Sequence, residues 1–208
     1  MSKQNNKEIV ERVRPTEVRA AEGDEKIVEG RAVVFGEPTD ICGWFQETIA
    51  PGALDKTDLS DVRFCKNHDT TNVFARSKKG KGTLQLNKGD EGLDIAASLD
   101  TEGNPLAATL YSEISRGDID GMSFMFTVEA EEWEDLETDY PKRTITKIGT
   151  ILEVSAVTFP AYPQTSIGAR AKDALENARS AAEAARALKE AEAHKLQLEK
   201  EKIKLITI

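Results

Sequence analysis

Residues Arg143–Phe159 read RTITKIGTILEVSAVTF, and this stretch decides the fold. Threonine and isoleucine crowd its first half, as suits a pleated surface. In its second half the residues alternate. Ile151, Glu153, Ser155, Val157 and Phe159 point one way, and Leu152, Val154 and Ala156 point the other. This is a strand, and similar runs flank it: IVEGRAVVF at 27–35, GTLQL at 82–86, GLDIAASL at 92–99 and MSFMFTV at 122–128, each bounded by glycine or polar residues. The stretch GKGTLQLNKGDEG, 80–92, reads as a hairpin with glycine turns. Residues 16–168 are therefore expected to form one α+β, mostly β, domain.

Two helices are expected within or beside this sheet. Asn104–Ser115 carries Leu106, Leu110, Tyr111 and Ile114 at helical spacing after an Asn-Pro start. A shorter helix is expected in PGALDKTDLSD, 51–61, after Pro51. At the front, residues 1–15 are polar and weakly periodic and read as a flexible arm ended by Pro15. From 169 to 208 the composition turns to Ala, Glu, Lys, Arg and Leu with neither glycine nor proline beyond Gly168, which predicts one long helix. Its apolar seam, Leu175, Ala178, Ala182, Ala185, Leu188, Leu196 and Ile203, is mostly alanine, so the helix is either solvated or docks on another helical protein.

Composition narrows the function classes. With 208 residues there is room for one well-buried core and an appendage. A net charge of −9 opposes nucleic-acid binding, which needs basic surface to displace counterions, and leaves proteins as partners. Cys42 and Cys65 do not make a disulfide framework, and no apolar run is long enough to span a bilayer, so a cytosolic chain with no membrane association is expected. There is no CxxC pair, HExxH or phosphate-cradling glycine loop, so no metal and no cofactor is expected.

What remains for chemistry is sparse. Histidine suits general-base work near neutral pH, and the chain has two. His194, on the charged tail, reads as solvated. His68, in FCKNHDT, sits where a strand runs into a polar loop. Glu153 is an acid inside an apolar strand and needs a specific partner, for which His68 is a candidate. Ser123, in GDIDGMSFMF, shares its face with Met125 and Thr127, opposite the more apolar Met122, Phe124, Phe126 and Val128, and so is expected to face away from the main core. A strand serine often only meets solvent or a neighbouring strand. Serine, histidine and acid are nevertheless the parts of a hydrolytic triad. Cys65, three residues before His68, is a rival nucleophile in poorer geometry, and Asp69 and Asp120 are rival acids.

These residues lie in a series of motifs: GRAVVFG, WFQETIAPGALD, KNHD, GTLQLNKGDEGLDIAASLD, DIDGMSFMF and LEVSAVTFPAYPQTSIGAR, in this order from about Val28 to Arg170. In them the chain resembles the prohead (procapsid maturation) proteases of tailed bacteriophages of the HK97 type, which are distantly similar to the herpesvirus assemblin proteases. The resemblance implies a closed antiparallel β-barrel with surrounding helices, plus the long C-terminal helix. It implies Ser123 as nucleophile, His68 as general base and acid, and Glu153 as third member where the herpesvirus enzymes use a second histidine. Backbone N–H groups of Ala161 and Tyr162, in the AYPQTS loop, are the implied oxyanion donors, Pro160 and Pro163 having none to offer. The implied task is that of a serine endopeptidase inside the assembling procapsid, in the host cytoplasm. There it cuts the scaffolding segment from the major capsid protein, and cuts itself. The implied partners are that capsid protein with its scaffolding segment, and a second copy of the chain by self-association. The tail resembles scaffold-like segments and either recruits the enzyme or is removed by self-cleavage. The alternative is a catalytically silent capsid-assembly or scaffolding protein on the same fold.

Overall fold

The computed structural model describes residues 9–14, 18–23, 25–158 and 166–206. Along them run β1 (Ile9–Arg14), β2 (Val18–Ala20), β3 (Ile27–Val34), β4 (Thr39–Ile41), β5 (Phe45–Ile49), β6 (Asp61–Lys66), β7 (Ala75–Lys78), β8 (Lys81–Gly82), β9 (Leu84–Gly89) and β10 (Gly92–Ser98). Then follow α1 (Pro105–Ser115), β11 (Gly121–Glu134), β12 (Lys142–Val157) and α2 (Ser166–Ile206). The segment Ile9–Arg14, which by its own composition reads as an arm, is a strand. What makes it one is a partner, β11, over a hundred residues away, which no local pattern reveals.

The long strands β11 and β12 form an antiparallel pair at the centre of an eight-stranded sheet ordered β1-β11-β12-β6-β7-β8, with β4 and β5 joined through β12. A second sheet of four strands runs β2-β3-β10-β9, and contains the expected hairpin between β9 and β10. Apolar residues from both sheets, among them Val33, Phe64, Leu93, Ile95, Phe124 and Phe126, meet in one buried core, with Leu110 and Ile114 of α1 packed into it. Phe124 and Phe126 stack with ring centroids 4.6 Å apart. Met122, Phe124 and Phe126 make the apolar face that the alternation predicts.

The expectation of a closed antiparallel barrel is corrected on two counts. The large sheet is open, with β1 at one edge and β8 at the other, and it packs on the second sheet instead of closing on itself. It is also mixed, since β12 pairs in parallel with both β5 and β6. The short helix expected after Pro51 is instead a series of turns, with Ala53, Asp55 and Thr57 each bonding three residues back. The aspartates and Gly52 favour such turns, while Ala53 and Leu54 still reach the core.

Two local devices aim the strand that carries Ser123. Asn104 caps α1 by accepting from the N–H groups of Leu106 and Ala107. At the other end Gly117 adopts φ +75°, its N–H bonds Ile114 O at 3.0 Å, and the N–H of Asp118 bonds Glu113 O at 2.9 Å. This paired closure needs a left-handed residue, which glycine supplies without a Cβ penalty, and it turns the chain directly into β11.

The foot of α2 docks on the domain. Ala171 and Leu175 are buried with Ile41 and Phe45, and Arg179 donates to Leu136 O at 2.9 Å and Thr138 O at 2.6 Å. Beyond it the described side chains are exposed, including Leu188 and Leu196.

Candidate active site

After β6 the chain makes a tight turn through Asn67 and His68, with φ of +50° and +60°. Two successive non-glycine residues in the left-handed region cost of order 1–3 kcal/mol each and persist only where neighbours hold them. Here β12 does so. Asn67 N–H donates to Ala156 O at 3.0 Å, Thr158 N–H donates to Asn67 Oδ1 at 3.0 Å, and Asn67 Nδ2 donates to Thr158 Oγ1 at 3.1 Å. His68 N–H donates to Ser155 Oγ at 3.0 Å. The imidazole is thereby fixed against the middle of the sheet.

That position brings together the three residues singled out in the sequence. His68 Nδ1 lies 2.7 Å from Glu153 Oε2, and His68 Nε2 lies 2.6 Å from Ser123 Oγ. The carboxylate only accepts, so Nδ1 carries the proton it receives. Ser155 donates its hydroxyl to the other oxygen of Glu153. One serine thus holds both the acid and the backbone of the histidine. Glu153, at 1% exposure, meets the demand that a carboxylate in an apolar strand be partnered.

Burial of His68 opposes its charged form, but the hydrogen bond and charge of Glu153, with a contribution from Glu11, outweigh it and raise the imidazole above its ordinary value of 6.5. Ser123 Oγ has a second contact, donating to Arg12 O at 3.0 Å. With Nε2 protonated both contacts are satisfied, because the histidine donates to the serine and the serine to the carbonyl. With Nε2 neutral, the single serine proton turns to the imidazole.

Ser123, on the face of β11 away from Phe124 and Phe126, is wholly buried. The reason is β1, which covers the edge of β11 and sets Val13 opposite Ser123. The rival residues fall elsewhere. Cys65 is buried, and burial, with the charges of Glu153 and Asp69, pushes its thiol up to about 12 against the pull of Arg63. It holds no thiolate at neutral pH. Asp69 is turned to Thr71 and Asn72, which hold it below the usual carboxylate range, and Asp120 is exposed. His194 is on the exposed length of α2. Ala161 and Tyr162 lie outside the described residues. Among the described residues no cluster of His, Cys, Asp and Glu is placed to hold a metal ion. Ser155 and the Asn67–Thr158 clamp were not foreseen. Ser155 shares the face of Glu153 two residues on, and that was the available signal.

Comparison with known proteins gives the chain a family. Residues 14–180 match the family described as caudovirus prohead serine protease. The chain belongs to that family. It is 31% identical over 169 residues to the prohead protease of Enterobacteria phage HK97, across 79% of this chain and 69% of that protein. No solved structure matches. Membership in the prohead protease family gives the chain a protease role in phage capsid maturation. Ser123, His68 and Glu153 all fall within the stretch matched by the family.

Proposed function

We propose that this prohead protease is a serine endopeptidase that works through Ser123, His68 and Glu153, and that it cuts the scaffolding segment from the major capsid protein. The observation that carries the reading is the unbroken relay from Glu153 to His68 at 2.7 Å and from His68 to Ser123 at 2.6 Å. In it, Nε2 removes the hydroxyl proton as Oγ attacks a peptide carbonyl, and returns it to the leaving amine. Glu153 keeps the proton on Nδ1 and stabilises the imidazolium. Water then repeats the cycle on the acyl-enzyme. A silent assembly protein has no use for a buried acid bonded to an imidazole bonded to a serine.

Two measurements test this. A fluorophosphonate probe should label the wild-type chain and leave Ser123→Ala unlabelled. Mass spectrometry of capsid protein co-expressed with the chain should show the scaffolding segment removed by wild type and retained with Ser123→Ala. Equal labelling, or identical fragments with both, would overturn the assignment. No helix among the described residues is long and apolar enough to cross a membrane.

A further inference from the structure

We propose that Glu47 selects arginine on the acyl side of the scissile bond, and that β1 is the chain's own first substrate, bound with Arg12 in that place. The inference rests on the serine-protease reading above and adds to it a specificity group and a bond.

Three observations converge. First, β1 is the edge strand of the large sheet, paired with β11 from Ile9 opposite Thr127 to Arg14 opposite Met122. Without it the strand bearing Ser123 would itself be an open edge, which is how an extended peptide docks by adding a strand. Second, the backbone carbonyl brought to Ser123 Oγ, at 3.0 Å, is that of Arg12. Third, the Arg12 side chain is not solvated, as an arginine on an edge strand usually is. It is 4% exposed, and its Nε and Nη2 fork onto Glu47 Oε1 and Oε2 at 2.5 and 2.7 Å.

Glu47 is fully buried and also accepts from Arg143 Nη1 at 3.1 Å, while Arg143 bonds Glu131 in turn. Arg12 is thus one of the cations that the buried Glu47 holds. A two-toothed contact on both carboxylate oxygens fits a planar guanidinium better than a lysine ammonium. A buried ion pair adds little to stability by itself, so anchoring an edge strand does not explain the choice of a charged side chain.

The step balances. Oγ of Ser123 bonds the Arg12 carbonyl carbon as Nε2 of His68 takes its proton; the Arg12–Val13 C–N bond breaks and the Val13 nitrogen receives that proton. Water, giving a proton to Nε2, then adds hydroxide to the ester, and Oγ leaves and takes the proton back. The products are a peptide ending in the Arg12 carboxylate and a chain beginning at Val13, with the β11 edge open for the capsid protein.

Intact-mass measurement of the full chain over time tests this. Wild type should come to begin at Val13, Ser123→Ala should stay whole, and Arg12→Gln should lose the segment at least about a hundredfold more slowly, since the two-toothed contact of Arg12 with the buried Glu47 is lost. Paired peptides differing only in arginine or glutamine before the cut bond should be cleaved in strong favour of arginine by wild type. Glu47→Gln should lose that preference, and Glu47→Asp, which keeps the charge, should retain part of it if the glutamine variant does not fold. Capsid protein cleavage by the same preparation separates the two levels of argument. A chain that cuts capsid protein but never opens Arg12–Val13, or that shows no preference for arginine, overturns this inference and leaves the protease reading standing. A chain that cuts neither overturns both.

Discussion

Replacing Glu153 by glutamine is the sharpest test of the relay, because the structure shows how the amide would sit. Glu153 has two partners, the Nδ1 proton of His68 and the hydroxyl of Ser155. Glutamine can keep its oxygen on Nδ1 if its NH2 group turns to Ser155. Ser155 Oγ, which already accepts from His68 N–H at 3.0 Å, has a second lone pair to receive it. In that orientation the tautomer survives and only the charge opposite the imidazolium is lost. In the flipped orientation the NH2 faces Nδ1, forces the proton onto Nε2 and removes the base. Loss of the acid's charge in serine proteases of another fold costs on the order of 10⁴ in turnover. The first orientation is the milder outcome, so the expected loss is from about a hundredfold to about 10⁴, or roughly 2.7–5.5 kcal/mol of transition-state stabilisation. Single-turnover cleavage of a peptide substrate measures it. Thermal unfolding should change little, since a buried carboxylate is replaced by a neutral group of the same shape. A folded glutamine variant that cuts within about threefold of wild type would remove Glu153 from the site.

Activity should rise with pH along a limb whose midpoint lies above 6.5, because His68 must be neutral to accept the serine proton and Glu153 holds it protonated; NMR titration of His68 should give the same midpoint. The same shift acts on stability in the other sense: the contribution is full below about pH 6.5 and is lost as pH rises through the raised value, and Glu153→Gln should abolish this dependence. Cys65→Ala should cut substrate at the wild-type rate, since the buried thiol holds no thiolate near neutrality; a hundredfold loss would reopen the case for a cysteine nucleophile. A chain ended after Ser180 keeps Ala171, Leu175 and Arg179 on the domain and should cleave peptides normally, yet be depleted from purified procapsids; normal copy number there would refute recruitment by the tail. Ending the chain at Ala171 should instead lower stability by roughly 2–5 kcal/mol through loss of the buried Leu175.

The site was legible in the sequence to the extent that it rests on local periodicity. Alternation in TILEVSAVTF put Glu153 and Ser155 on one face, and the isolation of an acid among apolar neighbours announced that it had a partner. The single histidine outside the tail left His68 as the candidate. The position of Ser123 on the face opposite Phe124 and Phe126 followed from the same alternation, but its burial did not. Exposure depends on which strand lies beside β11, and strand pairing between residues more than a hundred positions apart leaves no periodic trace in either segment. The same limit explains the open, mixed sheet. A strand's residues say that it is half-buried, but not whether its neighbour runs parallel, as β6 does beside β12, or whether the last strand meets the first.

This division bears on how the protease stays controlled. Of the proposed catalytic groups, Ser123 and Glu153 stand on β11 and β12 and His68 follows β6, and these three strands are paired on both sides. The group that fills the site comes from the edge, where β1 has one neighbour and leads directly into residues 15–17, outside the described structure. An edge strand is released at lower cost than a central one, because it gives up one ladder of hydrogen bonds, and β1 adds to the core only Val10. Cutting behind Arg12 would sever the residues up to Arg12, with their buried pair to Glu47, from the rest of the chain. On the inference drawn above, opening the site and first turnover would be the same event, and Ser123 would become accessible to another protein only after the chain had cut itself.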